Sequence, residues 1–92
     1  MSIVVRFYPT NLTKEEYDES TRLLEGAGAW PPDGLEYHVF FGPEGDTRVS
    51  EIWDSQEKLD AFGEVLMPIL QEQGIGFSRD PEIFEAHAIV KR

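Results

Sequence analysis

Apolar positions recur along the chain with two different periods, and these periods divide it into six segments. Residues 3–8 (IVVRFY), 35–41 (LEYHVFF) and 47–53 (TRVSEIW) are rich in β-branched and aromatic side chains, which is typical of strands. Residues 82–91 (EIFEAHAIVK) have the same character. Two other segments repeat apolar residues every three to four positions and predict helices. The predicted order is β-α-β-β-α-β.

Capping signals place the two helices. Thr13 and Glu16 form a T-x-x-E capping box before a helix that ends near Gly26. The second helix is expected to begin after Asp54 or Ser55, with Glu57 placed for a capping box with Asp54. Its apolar stripe consists of Leu59, Phe62, Leu66, Ile69 and Leu70. Pro68 within this stripe predicts a kink or a separate last turn, and residues 74–81 read as a loop.

This order is the signature of the α+β, ferredoxin-like fold, and 92 residues make one domain spanning residues 1–92. Right-handed crossovers place both helices on one face of a four-stranded antiparallel sheet, with strand order 4-1-3-2. On strand two, alternation separates Leu35, Tyr37, Val39 and Phe41 from Glu36, His38 and Phe40. Strand three adds Ile52 to the first face and Val49 and Trp53 to the second. Both faces of the sheet are then substantially apolar, so we expect a homodimer in which the face without helices packs against a second sheet.

The net charge and the absence of cysteine limit the classes of binding partner and the cellular compartment that we expect. Eighteen acidic residues against eight basic ones give a formal net charge of −10, which disfavours binding to nucleic acid or an anionic membrane. A small neutral or weakly polar ligand fits this charge better, although solubility alone also explains it. No cysteine, signal-peptide pattern or membrane-length apolar run is present, which favours a cytoplasmic protein.

Candidate chemistry lies on one face of strands two and three. A four-residue loop at 43–46 would pair Val39 with Ser50, so His38 and Glu51 are expected to be cross-strand neighbours. A carboxylate beside an imidazole holds one tautomer, which suits a general base. Trp53 and Phe40 share that face and could stack an aromatic ring. Tyr17, Phe62 and Leu66 from the helices would cover it, giving an apolar small-molecule pocket. A purely structural His–Glu hydrogen bond explains the pair equally well.

Two further residues, His87 and Trp30, are less suited to a catalytic or metal-binding role. His87 falls in the last predicted strand with Ile83 and Glu85, and we expect it to face the partner sheet or solvent. The strand order separates it from His38, so no metal site is predicted. Trp30 precedes two prolines and is expected to anchor the connector after the first helix, or to shield the mouth of the pocket.

The residues Glu51-Ile52-Trp53-Asp54-Ser55 resemble the E-x-W-x-S junction of the dimeric α/β-barrel superfamily, which includes the antibiotic-biosynthesis monooxygenase-like proteins. The pattern continues through Ala61-Phe62 and Leu66-x-Pro68-x-Leu70. With His38 near the end of strand two and His87 in the last strand, the chain most resembles stand-alone, mostly uncharacterised bacterial members. The resemblance covers nearly the whole chain and implies the ferredoxin-like fold and a dimeric barrel.

The resemblance implies function only coarsely, because the superfamily is functionally diverse. It implies a cofactor-independent monooxygenase or isomerase acting on an aromatic or polyketide-like ligand, with His38 as base, Glu51 orienting it and Trp53 stacking on the ligand. A non-catalytic ligand-binding dimer and a structural dimer with a filled core stay open. Heme-degrading relatives place a ligating histidine where this chain has Gly63, so no heme, and no other cofactor, is expected.

Overall fold

The computed structural model describes residues 1–10 and 12–92, and it confirms the order of elements that the sequence predicts. The elements are β1 (Ile3–Thr10), α1 (Lys14–Gly26), β2 (Leu35–Phe41), β3 (Arg48–Trp53), α2 (Gln56–Glu72) and β4 (Gly76–Glu85). The strands pair antiparallel in one sheet with the order β2-β3-β1-β4, which is the predicted 4-1-3-2 order counted from the other edge. The chain therefore has the ferredoxin-like α+β fold.

Both helices cover the same face of the sheet. The main core cluster joins side chains from the two central strands to side chains from both helices; its buried members are Ile3, Val5, Leu24, Trp53, Leu59 and Phe62. A second cluster, of Leu12, Leu70 and Ile75, lies near the end of α2. In the described part of the chain no helix packs on the opposite face of the sheet, and we call it the open face.

The capping box of α1 forms as predicted. The Thr13 hydroxyl accepts from the Glu16 backbone N–H, and the Glu16 carboxylate accepts from the Thr13 N–H, both at 3.1 Å. These bonds satisfy two donors that a helix N-terminus otherwise leaves without partners.

At the start of α2 the capping residue is Ser55, and the box predicted between Asp54 and Glu57 does not form. The Asp54 N–H that such a box would use donates instead to the Gly34 carbonyl oxygen at 2.9 Å. The helix then runs as one element through Pro68 to Glu72, so the last turn is not a separate piece.

The hairpin between β2 and β3 has the register that the sequence predicts. Val39 pairs with Ser50, and the turn is closed by a hydrogen bond from Asp46 N–H to the Pro43 carbonyl oxygen at 2.9 Å. Gly42 has a φ of +115°, and a Cβ there would lie 2.6 Å from the Asp46 carbonyl oxygen. Only glycine fits this position without strain.

The beginning of β2 differs from the prediction. The register shifts between Leu35 and Tyr37, so that Leu35 pairs with Trp53 while Tyr37 pairs with Ile52. The extra residue, Glu36, makes Leu35 change faces, and Leu35 packs against the main core cluster rather than lying beside Tyr37 on the open face.

The last strand lies earlier in the chain than predicted. Residues 76–81 are part of β4 rather than a loop, and the strand ends at Glu85 rather than Lys91. Its pairing with β1 extends from Thr10↔Gly76 to Ile3↔Glu85, with register shifts on either side of Tyr8. Pro81 lies at this irregularity on an edge strand, where a missing backbone N–H breaks no sheet pairing. Long-range pairing overrides the weak strand propensity of this segment.

The shift also reverses the predicted faces of the last strand. Ile83 pairs with the fully buried Val5 and so faces the helices, whereas Phe84 pairs with Val4 on the open face and is 68% exposed. The alternation predicted for the last strand places Ile83 with His87 toward the partner sheet or solvent, and the pairing of Ile83 with Val5 shows this prediction to be wrong. His87 lies beyond the end of β4 and is exposed, so it is not part of the sheet.

Candidate functional site

The centre of the site is a cross-strand pair on the helix-covered face. His38 in β2 lies directly opposite Glu51 in β3, as the predicted register requires. Their side chains are bonded, with His38 Nδ1 2.7 Å from Glu51 Oε2. Exposed fractions of 15% for the His38 side chain and 5% for the Glu51 side chain place the pair away from bulk water.

The second carboxylate oxygen of Glu51 accepts a hydrogen bond from a residue of the same strand, β3. Trp53 Nε1–H donates to Glu51 Oε1 at 2.9 Å, and Trp53 itself is completely buried. A carboxylate only accepts hydrogen bonds, so the His38 nitrogen that faces Glu51 carries hydrogen. In a neutral imidazole this leaves the lone pair on Nε2, the ring nitrogen on the far side from Glu51.

That lone pair meets a phenol from α1. Tyr17 Oη lies 2.7 Å from His38 Nε2, and the Tyr17 ring stacks on Phe40 at 4.4 Å between centroids and 4° between planes. Burial raises the pKa of the Tyr17 phenol above its ordinary value of 10.0, and Glu51 adds to the rise while Thr21 opposes it. The protonated hydroxyl is therefore the donor, and the four side chains form one hydrogen-bonded chain, Tyr17–His38–Glu51–Trp53.

This hydrogen-bonded chain borders a cavity of about 420 Å³ between the sheet and the two helices. Most of the lining is apolar, and it includes five aromatic rings: Phe7, Tyr17, Trp30, Phe62 and Phe77. The cavity extends from His38 and Glu51 to the edge formed by β4, where Arg79 and Ile83 line it. Its volume lies in the usual range for small-molecule sites.

The seven residues singled out in the sequence lie together, but not all of them reach the cavity. Tyr17, His38, Glu51, Phe62 and Leu66 line it. Trp53 lies beneath Phe62, with ring centroids 5.6 Å apart, and holds Glu51; Phe40 supports Tyr17 from behind. Neither Trp53 nor Phe40 lines the cavity, although both were expected to offer a ring face there.

Four other lining residues were not among the predicted site residues: Trp30, Phe77, Arg79 and Ile83. Trp30, expected as a loop anchor or a shield at the mouth, lines the cavity and meets the His38 ring edge-on at 4.9 Å and 83°. Phe77, Arg79 and Ile83 come from the strand that was misplaced. Their alternate spacing was a usable signal, because residues two apart on a strand share a face, but Gly76 and Pro81 made the segment resemble a loop.

Within the described part of the chain, no helix has the length and apolar character needed to cross a membrane. Among residues 1–10 and 12–92, no three histidine, aspartate or glutamate side chains lie where they could together hold a metal ion.

Comparison with known proteins gives matches in structure alone. No family model matches the sequence, and no curated protein matches it significantly. A protein from Chloroflexus aurantiacus assigned as an antibiotic biosynthesis monooxygenase is 13% identical, with a TM-score of 0.66 over 99% of this chain and 98% of that one. SnoaB, a cofactor-independent oxygenase from Streptomyces nogalater, is 10% identical, with a TM-score of 0.65 over 99% and 97%.

A heme-degrading protein from Mycobacterium tuberculosis is 18% identical, with a TM-score of 0.56 over 99% of this chain and 100% of that one. Each match spans nearly the full length of both chains. These likenesses confirm that the chain has the ferredoxin-like fold of the antibiotic-biosynthesis monooxygenase-like proteins.

Proposed function

We propose that the protein binds a planar aromatic molecule in the cavity between sheet and helices and oxidises it with dioxygen, without a cofactor. The observation that carries the proposal is the chain Tyr17–His38–Glu51–Trp53, which brings an oriented base to an aromatic-lined cavity. A buried polar chain at one point of an otherwise apolar pocket is the usual arrangement of a small-molecule site.

The lining suggests the class of ligand. Phe62 and Trp30 lie 6.2 Å apart between centroids and, with Phe7 and Phe77 further along, offer ring faces and edges to a flat molecule. About 420 Å³ accommodates a fused aromatic system of a few rings. Because the polar groups gather near His38, the ligand would place its acidic O–H or activated C–H there. A hydroxylated polycyclic aromatic, such as a polyketide-derived anthrone, has this chemistry.

The reaction follows from the base. The His38–Glu51 pair is the base that finally holds the proton lost from the activated position, and the buried carboxylate stabilises the imidazolium that forms. The electron pair left on the substrate passes to dioxygen, and the methylene carbon ends as a carbonyl: CH₂ plus O₂ gives C=O plus H₂O. The likeness to SnoaB, described as a cofactor-independent oxygenase, supports this class of reaction. Gly63 offers no imidazole for a heme at the position where heme-degrading relatives carry one.

The test is oxygen consumption with a panel of anthrones and polyhydroxynaphthalenes. Wild type should turn over at least one of them, and His38→Ala should lower the rate by about a hundredfold or more, the usual contribution of a general base. His87→Ala is the matched control, because His87 is exposed and lies outside the sheet. Absence of turnover in wild type, or equal turnover in His38→Ala, would refute the catalytic assignment.

A second candidate is non-catalytic binding in the same cavity. It is favoured by the contact that already occupies His38 Nε2 with the Tyr17 hydroxyl. Trp30 lines the cavity whereas Trp53 does not, so ligand binding should quench the fluorescence of Trp30. Quenching by the panel that disappears in Trp30→Phe, without oxygen uptake by wild type, would select binding over catalysis.

The open face supports a homodimer. Its exposed apolar side chains come from three strands: Val4, Tyr37, Val39 and Phe84, which are 37%, 59%, 39% and 68% exposed. Arg6 crosses the same face, with its Nε–H donating to Ser50 Oγ at 3.1 Å and its guanidinium 5.6 Å from the Phe41 ring centroid. A second copy placed on this face by a two-fold axis buries the apolar side chains of both.

Light scattering at micromolar concentration tests the dimer. We expect twice the chain mass of 10.5 kDa, and Tyr37→Asp should shift the protein toward the single-chain mass. Val65→Asp, which changes an exposed position on α2, is the control. A wild-type mass of 10.5 kDa would refute the dimer while leaving the cavity proposal intact.

A further inference from the structure

The one accepting atom of the candidate base is already in use. Because His38 Nδ1–H donates to Glu51, a neutral His38 has a single lone pair, on Nε2, and Tyr17 Oη lies 2.7 Å from it. A substrate cannot share that lone pair while the Tyr17 hydroxyl donates to it. Tyr17 and His38 both line the cavity, so the route from substrate to base involves the phenol.

Tyr17 is also held in place. Its ring lies parallel to Phe40 at 4.4 Å, and it belongs to the first turns of a helix fixed by the Thr13–Glu16 capping box. Displacing the phenol would break a stacked aromatic contact and a hydrogen bond with no evident compensation. The Tyr17 oxygen, however, keeps accepting capacity while it donates its own hydrogen, because a phenol both donates and accepts.

We propose that Tyr17 is the group that takes the proton from the substrate, and that it passes its own proton to His38 in the same step. The proposal rests on the proposed oxygenase function and adds a residue to its machinery. The substrate O–H or C–H bond breaks as a new Tyr17 O–H forms, while the original Tyr17 O–H breaks as His38 Nε2–H forms. The substrate keeps the electron pair that later passes to dioxygen, and Tyr17 stays neutral throughout.

The buried end of the hydrogen-bonded chain, Glu51 and Trp53, explains why the proton moves from the substrate toward His38. The imidazolium formed on His38 is bonded to Glu51, and Trp53 Nε1–H fixes the carboxylate in the orientation that the bond requires. Tyr17 is therefore a catalytic residue that touches the substrate, His38 accepts the proton behind it, and Trp53 is a positioning residue.

The experiment uses full-length protein and the best substrate of the anthrone and naphthol panel under single-turnover conditions. Tyr17→Phe keeps the ring and its stacking on Phe40 but removes the hydroxyl. The relay predicts a rate reduced about a hundredfold, comparable with His38→Ala. A rate equal to or above that of wild type overturns the relay. That result would mean that the Tyr17 phenol only blocks His38, so that removing its hydroxyl frees the base.

A second measurement needs no variant. The single-turnover rate of wild type is followed in mixtures of H₂O and D₂O. For a naphthol substrate, whose O–H exchanges with solvent, two protons moving together predict a downward-curved dependence on the deuterium fraction, and a linear dependence, which means one proton in motion, overturns the relay. Binding is checked by Trp30 fluorescence, which should give the same affinity for Tyr17→Phe within a few-fold.

Failure of the relay and failure of the proposed function give different results. Turnover that depends on His38 but not on Tyr17 removes the relay and leaves the oxygenase assignment standing. No turnover in wild type removes both.

Discussion

Replacing Glu51 separates the structural role of the buried chain from its chemical role. In Glu51→Gln the amide offers one accepting oxygen and one donating NH₂ where the carboxylate offered two acceptors. The Trp53 indole can only donate and is completely buried, so the amide oxygen stays with it. The NH₂ group then faces His38 Nδ1, which must present a lone pair. The imidazole carries its hydrogen on Nε2 instead and can no longer accept from Tyr17.

The cost in stability can be worked from these contacts. Each hydrogen bond to a charged acceptor is worth roughly 1 kcal/mol more than its neutral equivalent, so Glu51→Gln should lower the free energy of unfolding by about 1 to 2 kcal/mol. Glu51→Leu leaves the Trp53 N–H and the His38 N–H without their buried acceptor and should cost about 3 to 5 kcal/mol. Turnover should nevertheless fall by about a hundredfold or more already in Glu51→Gln, because the base is lost with the tautomer.

Urea unfolding followed by circular dichroism, at one protein concentration throughout, measures the first effect, and oxygen uptake measures the second. The nitrogen chemical shifts of His38 report the tautomer directly, with hydrogen on Nδ1 in the wild-type neutral ring and on Nε2 in Glu51→Gln. Glu64→Gln, at an exposed position on α2, is the matched control and should change stability by less than about 0.5 kcal/mol. Full turnover in Glu51→Gln, or Glu51→Leu as stable as Glu51→Gln, would contradict this reasoning.

Three further outcomes test other parts of the structure. Thr13→Ala removes the capping box of α1 and should cost about 1 kcal/mol in urea unfolding. Phe62→Ala deletes a buried ring and should cost about 3 to 5 kcal/mol, against less than about 0.5 kcal/mol for Val65→Ala on the exposed side of the same helix. Because burial raises the pKa of Tyr17 above 10.0, its contribution to stability is complete below that pH and is lost as the pH rises through the folded-state pKa. The tyrosinate absorbance titration should therefore lose a step above pH 10.0 in Tyr17→Phe, and loss of a step below that pH instead would count against a buried Tyr17.

The sequence alone determined the features that depend on neighbouring residues or on a single turn. The T-x-x-E pattern at Thr13 predicted the start of α1, and the four-residue length of the loop at 43–46 predicted the register of the hairpin. That register, with the two-residue period of a strand, was enough to place His38 opposite Glu51. Local hydrogen bonds and backbone sterics decide these features, and they are visible in a short window of sequence.

Only the tertiary structure decided the features that depend on residues far apart in the chain. β4 takes its position from pairing with β1, more than 60 residues away, which overcomes the poor strand propensity of Gly76 and Pro81. The single-residue shift at Glu36, which moved Leu35 to the core, likewise has no local signature. Pairing between distant segments is a property of the whole sheet, so no window of sequence reports it.

The same division applies to the candidate site. The alternation of β2 and β3 predicted which face holds the His38–Glu51 pair. Only the tertiary structure shows that the Tyr17 hydroxyl contacts His38 Nε2 and that Trp30 meets the same ring edge-on. Trp53, expected to stack on a ligand, instead holds the carboxylate from below. Which side chain reaches a cavity depends on how helices pack over a sheet, and packing is decided by the summed contacts of the folded chain.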